Sequence, residues 1–397
     1  MNRKTVVIGG GAAGMMAAYS ALNSGDEVYI LEQNDRLGKK LMITGKGRCN
    51  VTNNCDREEF LNNVPRNPRF LYSAFSNFDC NDTINFFENA GVPLKTERGN
   101  RVFPQSDKAI DIVNAMKKMC SGAKIINSKA KKLIIEDNTV KAVMLENNQS
   151  IQCDKAILCT GGKSYPLTGS DGSGYSLAQG HTITPIKPSL VPLVADDCED
   201  LQGLSLKNVT LSLYEDNKLI YKELGEMLFT HFGISGPLTL SASSHINNIK
   251  NCYALIDFKP ALDEATLDKR IQRDFIKYQN KDYCNSLDDL LPRKLIPQII
   301  LRSGISGLRK VNSITKEERH IIVNLLKKYK IDINDFRPID EAIVTSGGIC
   351  VKEINPKTME SKLINGLYFA GEVIDVDGYT GGFNLQIAFS TGYLAGM

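Results

Sequence analysis

The chain has 397 residues, of which 42% are hydrophobic and 23% charged, and a formal net charge of +3. This is an ordinary globular balance, long enough for two or three domains around large cores. It gives no ground for expecting nucleic acid as a partner or insertion into a membrane, and no run approaches the roughly 18–20 apolar residues of a spanning helix.

The first element is a strand, Thr5–Ile8, mostly apolar as a buried parallel strand should be. Gly9, Gly11 and Gly14 follow it as G-x-G-x-x-G, and Ala12–Leu22 reads as a helix stopped by Asn23-Ser24-Gly25. Glu27–Leu31 returns as a second strand, closed by Glu32 23 residues after Gly9. Each residue type has a task. Gly9 permits the tight turn, Gly11 lets backbone approach a pyrophosphate, and Gly14 lets the helix press on the strand. The helix start, Ala12 and Ala13, offers free N–H groups and partial positive charge. Glu32, followed by Gln33, can accept hydrogen bonds from ribose hydroxyls and repels a 2′-phosphate. The motif alone does not separate FAD from NAD.

Three later elements favour FAD. Residues 34–54 form a polar, glycine-marked loop of the kind that wraps a flavin nucleotide, with Lys40, Gly45, Arg48, Cys49 and Asn50 as contacts. Its "GKGR" is no P-loop, because Gly47 stands where Ser or Thr is required. Residues 150–162 read as a strand ending in Thr160-Gly161-Gly162, reached by a meander that turns at Asp137-Asn138. Residues 366–392 hold a buried strand closed by Gly371-Glu372, a bend at Gly381-Gly382 and a helix from Phe383 or Asn384. The acid suits ribitol hydroxyls, and the helix start suits the flavin carbonyl region that gains negative charge on reduction.

Between Leu190 and about Thr345 the pattern is interrupted. Residues 204–262 alternate apolar and polar and predict an antiparallel sheet or small barrel, while 263–335 carry helix-period runs. The expected fold is α/β: a Rossmann-like FAD domain with a parallel sheet (1–189 and 346–397), an inserted β domain (190–262 and 336–345) and a helical subdomain (263–335). Candidate proton donors are His231, set between aromatic residues, with Tyr165 and Tyr379; each has an alternative reading as a packed or hydrogen-bonded structural side chain.

The ten cysteines are scattered without a C-x-x-C pair, which disfavours zinc ribbons and thioredoxin-like centres; no metal site is expected. Cys49 and Cys55 are one residue too far apart for the usual flavin-reductase disulfide. The basic N-terminus lacks an apolar signal region, so a cytoplasmic location is expected.

Taken together, "TGKGRCNVTN", "TGGKSYPLTGSDGSGY", "LFTHFGISGP", "TSGGICVKEINPKTMESK" and "GLYFAGEVIDVDGYTGGFNLQIAFSTG" resemble the BaiN/YhiN-like flavoprotein family over essentially the whole chain. One departure is Ile387, where the family pattern suggests Trp. The resemblance implies a flavin fold with an inserted β and helical cap. Some members reduce carbon–carbon double bonds in oxidised bile acids or related steroids, and some relatives carry an aminoacetone oxidase name. The leading expectation is an FAD oxidoreductase, with NAD(P)H as transient donor, that reduces an activated C=C bond in a small hydrophobic substrate. A flavin oxidase of a small amine using O₂ and an FAD-bound nucleic-acid-modification or interaction protein are the alternatives. No second G-x-G-x-x-G marks a donor site, and the oligomeric state stays open.

Overall fold

The computed structural model describes residues 2–397. The chain packs as two compact units, one running to Ser189 and resuming at Pro338, the other Leu190–Arg337.

The first unit is built on a five-stranded parallel sheet. Its order is Leu367–Phe369, Lys155–Leu158, β1 (Lys4–Ile8), β2 (Glu27–Glu32) and Lys124–Asn127. Val6, Val7, Ile30, Ile157 and Phe369 are fully enclosed, as strands covered on both faces require. Between β1 and β2 runs α1 (Ala12–Asn23), whose Met15, Met16, Ala17, Ala18 and Ala21 side chains are packed away from water. The final helix, Phe383–Gly396, crosses α1 at very short range. A Cβ at Gly392 would stand 2.4 Å from the Ala13 carbonyl oxygen, and one at Gly396 2.4 Å from that of Ala17. Such a contact admits only glycine.

The meander is present as a separate three-stranded sheet, with Asp137 and Asn138 in left-handed conformation at its turn. The continuous strand expected over 150–158 is instead two. Ser150–Gln152 closes the meander, and Lys155–Leu158 enters the parallel sheet. Cys153 and Asp154 form the corner between them, and Asp154 takes the Lys4 N–H at 2.8 Å.

The second unit is a closed six-stranded barrel. Ser205–Glu215 and Lys218–Thr230 form its long hairpin, and Leu193–Ala195 pairs with Tyr329–Phe336 to close it. Helices Glu264–Lys277, Ile296–Ser303 and Lys316–Lys327 share one apolar core with the barrel; Leu211, Ile256, Leu267, Ile299 and Ile322 are all fully buried. Two sequence boundaries therefore change. Tyr329–Phe336 is a barrel strand, not the tail of a helical subdomain. Residues 338–345, expected in the inserted β domain, belong to the first unit, where Val344–Ser346 pairs with Lys187–Ser189. The helix-period run that ends at Lys327 masks the start of the barrel strand, and short-range periodicity cannot say which unit receives residues 338–345. Among the described residues no helix is long and apolar enough to cross a membrane.

Candidate functional site

The first unit opens a cleft at the C-terminal ends of the parallel strands. This is where open α/β sheets place nucleotide ligands. Its lining comes from the glycine turn (Gly9, Gly11, Ala12, Ala13), the end of β2 (Glu32, Gln33, Asn34), Lys39 and Lys40, Thr160-Gly161, Gly371-Glu372 and the closing helix (Asn384, Leu385, Ile387, Ala388).

The glycine turn is shaped by contact. Gly9 has φ +103°, and a Cβ there would lie 2.6 Å from the Cys159 carbonyl oxygen; at Gly14 it would lie 1.8 Å from that of Gly9. Gly11 differs, since a Cβ there would meet nothing within 4 Å, so its bareness serves the open cleft and not the packing. Gly11 caps α1 without a side-chain hydrogen bond, and the first turn holds no acid. Its N–H groups are thus available to an anion.

Glu32 is 8% exposed. Its Oε2 accepts from Gly10 N at 2.8 Å, and its Oε1 from Asn34 N at 2.8 Å and Asn34 Nδ2 at 2.7 Å. The carboxylate therefore ties the turn to the end of β2 and keeps further acceptor capacity. Glu32→Gln puts an amide N–H₂ against these donors. The expected cost is about 1–3 kcal/mol of stability with weaker nucleotide uptake, checked by thermal melts and FAD titration.

Glu372 is held from three sides. Lys40 Nζ donates to its Oε2 at 2.7 Å, and Thr345 N and Ser164 Oγ donate to its Oε1 at 2.8 and 3.1 Å. Gly162 passes so close to this group that a Cβ would lie 2.4 Å from Thr345 Oγ1. Asn384 fastens the bend before the closing helix, bonding Gly378 through both its amide ends. That helix begins at Gly382 with no side-chain cap and no acid in its first turn. Gly382 has φ +103°, and a Cβ there would press 2.3 Å from the Thr52 carbonyl. Gly381 carries the carbonyl that Asn53 Nδ2 holds at 3.0 Å.

FAD fits this set of residues. Thr160 and Ser170 are lining residues, and their hydroxyls are buried without a hydrogen-bond partner, as polar groups beside a ligand site often are. Two uncapped helix starts and two carboxylates at strand ends match a phosphate-bridged, ribose-bearing molecule.

Several expected contacts lie elsewhere. Arg48 turns away, pairing with Glu97 at 2.5 Å and Asp107 at 2.6 Å over the Phe103 ring. Cys49 is fully buried, and burial pushes its thiol up to about 12; it is a packed group. Gly45 shapes the loop against Asn50, whose Oδ1 is buried without a partner, but neither lines the cleft. Phe383 packs on Phe60 in the core. Tyr165 sits in left-handed conformation before a short 3-10 turn, and Tyr379 donates its backbone N–H to Asn63. Neither tyrosine lines the cleft, and His231 occupies an exposed hairpin turn of the other unit. All ten cysteines are free thiols. The sequence reading missed Asn34, Ser128, Lys129, Ser170, Val344 and Ala388 as lining residues.

A parallel-sheet nucleotide cleft, walled by a helix from the far end of the chain and accompanied by a barrel unit, defines a Rossmann-type dinucleotide-binding protein. More particularly, the chain belongs to the HI0933-like family, whose Rossmann-domain description matches residues 3–397. It is 32% identical over 404 residues to the 3-dehydro-bile acid delta(4,6)-reductase of Clostridium scindens, covering 98% of this chain and 97% of that protein. It is 31% identical over 402 residues to the ribosomal RNA dihydrouridine synthase of Haemophilus influenzae, covering 98% and 96%. Its fold is similar to that of 3-ketosteroid-delta4-(5alpha)-dehydrogenase from Rhodococcus jostii RHA1, with TM-score 0.52, 12% identity and 100% and 97% coverage. The resemblance read from the sequence signatures therefore holds.

Proposed function

We propose that the protein is an FAD-dependent reductase of a carbon–carbon double bond conjugated to a carbonyl, drawing its electrons from NAD(P)H. The observation that carries this reading is the cleft, where two uncapped helix starts, Glu32 and Glu372 converge on unpartnered buried hydroxyls. Bound there, FAD would supply two-electron hydride chemistry.

The chain's own residues supply the rest. The start of α1 would hold the pyrophosphate, and Glu32 the adenosine ribose. Glu372, kept in place by Lys40, Ser164 and Thr345, would face the ribitol. The start of the closing helix would favour negative charge in the ring by roughly 0.3–1 kcal/mol, up to about 2 if shielded. Apolar Val344, Ile387 and Ala388 would exclude water from the wall.

The names of the curated relatives support the bond class. A delta(4,6)-reductase of a 3-dehydro compound and a maker of dihydrouridine both saturate a double bond conjugated to a carbonyl. A small hydrophobic enone is the favoured substrate, since the chain's charge of +3 gives weak grounds for RNA. Uridine in RNA is the second reading, favoured by the Haemophilus relative.

The test is anaerobic stopped-flow absorbance of the FAD-loaded protein. NADH or NADPH should bleach the flavin band rapidly, and a steroid-like enone should restore it. A band that persists with both donors removes the nicotinamide claim. Restoration by a uridine-containing ribosomal RNA fragment, and not by enones, selects the second reading. Rapid restoration by O₂ with a matching yield of peroxide points to an oxidase.

A further inference from the structure

Between Glu372 and the glycine bend stand two acids that do not themselves line the cleft. Asp375 is 6% exposed and Asp377 2%. Arg66 faces both, with Nη1 3.6 Å from Asp375 Oδ1 and Nε 3.4 Å from Asp377 Oδ1. Ser189 Oγ donates to Asp377 Oδ2 at 2.8 Å, while Asn67 Nδ2 donates to the Asp375 backbone carbonyl at 2.7 Å. The Oδ1 of each acid is buried without a hydrogen bond. Val376, between them, lines the cleft. Tyr175, packed against the core of the same unit, also has a buried and unpartnered hydroxyl; burial raises its pKa, and the charges of Glu372 and Asp375 add to this.

One guanidinium cannot neutralise two enclosed carboxylates, and a second buried negative charge is costly. The cluster therefore favours retaining a proton. We propose that Arg66, Asp375 and Asp377 form the proton store of the active site, Asp377 holding the proton that reaches carbon when the double bond is reduced. This rests on the reductase reading above. The bond balance is simple. The C=C π bond breaks, the β-carbon gains the hydride delivered from reduced FAD, and the α-carbon gains the proton. Asp377 is left as a carboxylate beside Arg66. Reprotonation is from water; the Arg66 side chain at the edge of the pair is 36% exposed and, as a permanent cation, stabilises the carboxylate without relaying the proton itself.

The direction of titration agrees. Burial raises the pKa of Asp377 above the usual aspartate range; Ser189, Arg66 and Ser346 oppose this, and the charge of Asp375 adds to it.

The test joins infrared spectroscopy to half-reaction kinetics on the FAD-loaded full chain. Wild type near neutral pH should show the carbonyl band of a protonated carboxyl, shifted in D₂O and lost in Asp377→Asn. In that variant the donor should reduce FAD at the wild-type rate, whereas enone-driven reoxidation should slow by about 10²–10⁴-fold. In Asp375→Asn, removing the neighbouring charge should move the alkaline limb of the reoxidation profile to lower pH. A band absent from wild type or surviving in Asp377→Asn would overturn the assignment, as would unchanged reoxidation in that variant. If wild type reduces neither enone nor uridine, the reductase reading fails, and the proton role for catalysis fails with it. The infrared band then decides separately whether Asp377 holds a proton.

Discussion

Replacing Gly11 with alanine should leave the melting temperature of the cofactor-free protein unchanged and weaken FAD binding by about tenfold or more, a loss of roughly 1.4 kcal/mol. The added methyl meets no protein atom within 4 Å, and it projects where the cleft is open. Gly14→Val should behave in the opposite way. Its first added carbon falls 1.8 Å from the Gly9 carbonyl oxygen, so α1 must shift off the turn. Overpacking of this kind costs about 1–3 kcal/mol, or more where backbone blocks relaxation. That variant should melt earlier and retain no FAD. Thermal melts beside a titration of flavin fluorescence distinguish the two effects. FAD affinity unaltered in Gly11→Ala would mean that the pyrophosphate lies elsewhere.

Lys155 gives the second large effect. It lies 2% exposed in the parallel sheet with its ammonium 4.3 Å from the centre of the Tyr368 ring. Burial, helped by the nearby Arg3 charge, lowers its pKa from 10.5 to about 8; Asp26 and Glu360 act the other way. The folded pKa is the lower one, so the unfolded chain binds more protons between pH 8 and 10.5, and stability rises with pH across that window. Below about pH 8 the folded protein carries the full cost of an enclosed cation. At about 1.36 kcal/mol per pKa unit the ceiling is roughly 3 kcal/mol, less whatever the ring returns. Lys155→Met should therefore raise the melting temperature at pH 7, by roughly 2–4 °C per kcal/mol recovered. The gain should shrink as the pH approaches 10. A variant less stable than wild type at pH 7, or a gain independent of pH, would show that the lysine is stabilising where it stands.

What the sequence revealed was local. Gly9, Gly11 and Glu32 sit on one turn and one strand end, and their spacing alone brings them together. The closing strand and helix were legible because a buried β run, a glycine pair and a helix follow one another directly. Arg48 was misread because a loop's composition does not say which way a long side chain turns; Glu97 and Asp107, about fifty residues on, decided it. Ser128, Lys129 and Val344 reach the cleft only through tertiary folding, so no pattern near them could reveal it. Asp375 and Asp377 were visible as acids. Their enclosure beside Arg66 was not, because that partner lies some three hundred residues earlier.

The far wall of the cleft has a consequence for the order of synthesis. Residues 371–388 leave the ribosome only after the whole of Leu190–Arg337, a contiguous segment that can close its barrel as soon as it emerges. The parallel sheet must wait for Leu367–Phe369, and α1 for the glycines that let the last helix lie against it. During translation the earlier half of the cleft thus stands with an unpaired strand edge, a state in which non-local pairing is slow and association with other chains competes. Nascent chains halted before residue 367 should contain a protease-resistant barrel and no captured FAD, which makes the tail the step that commits the nucleotide.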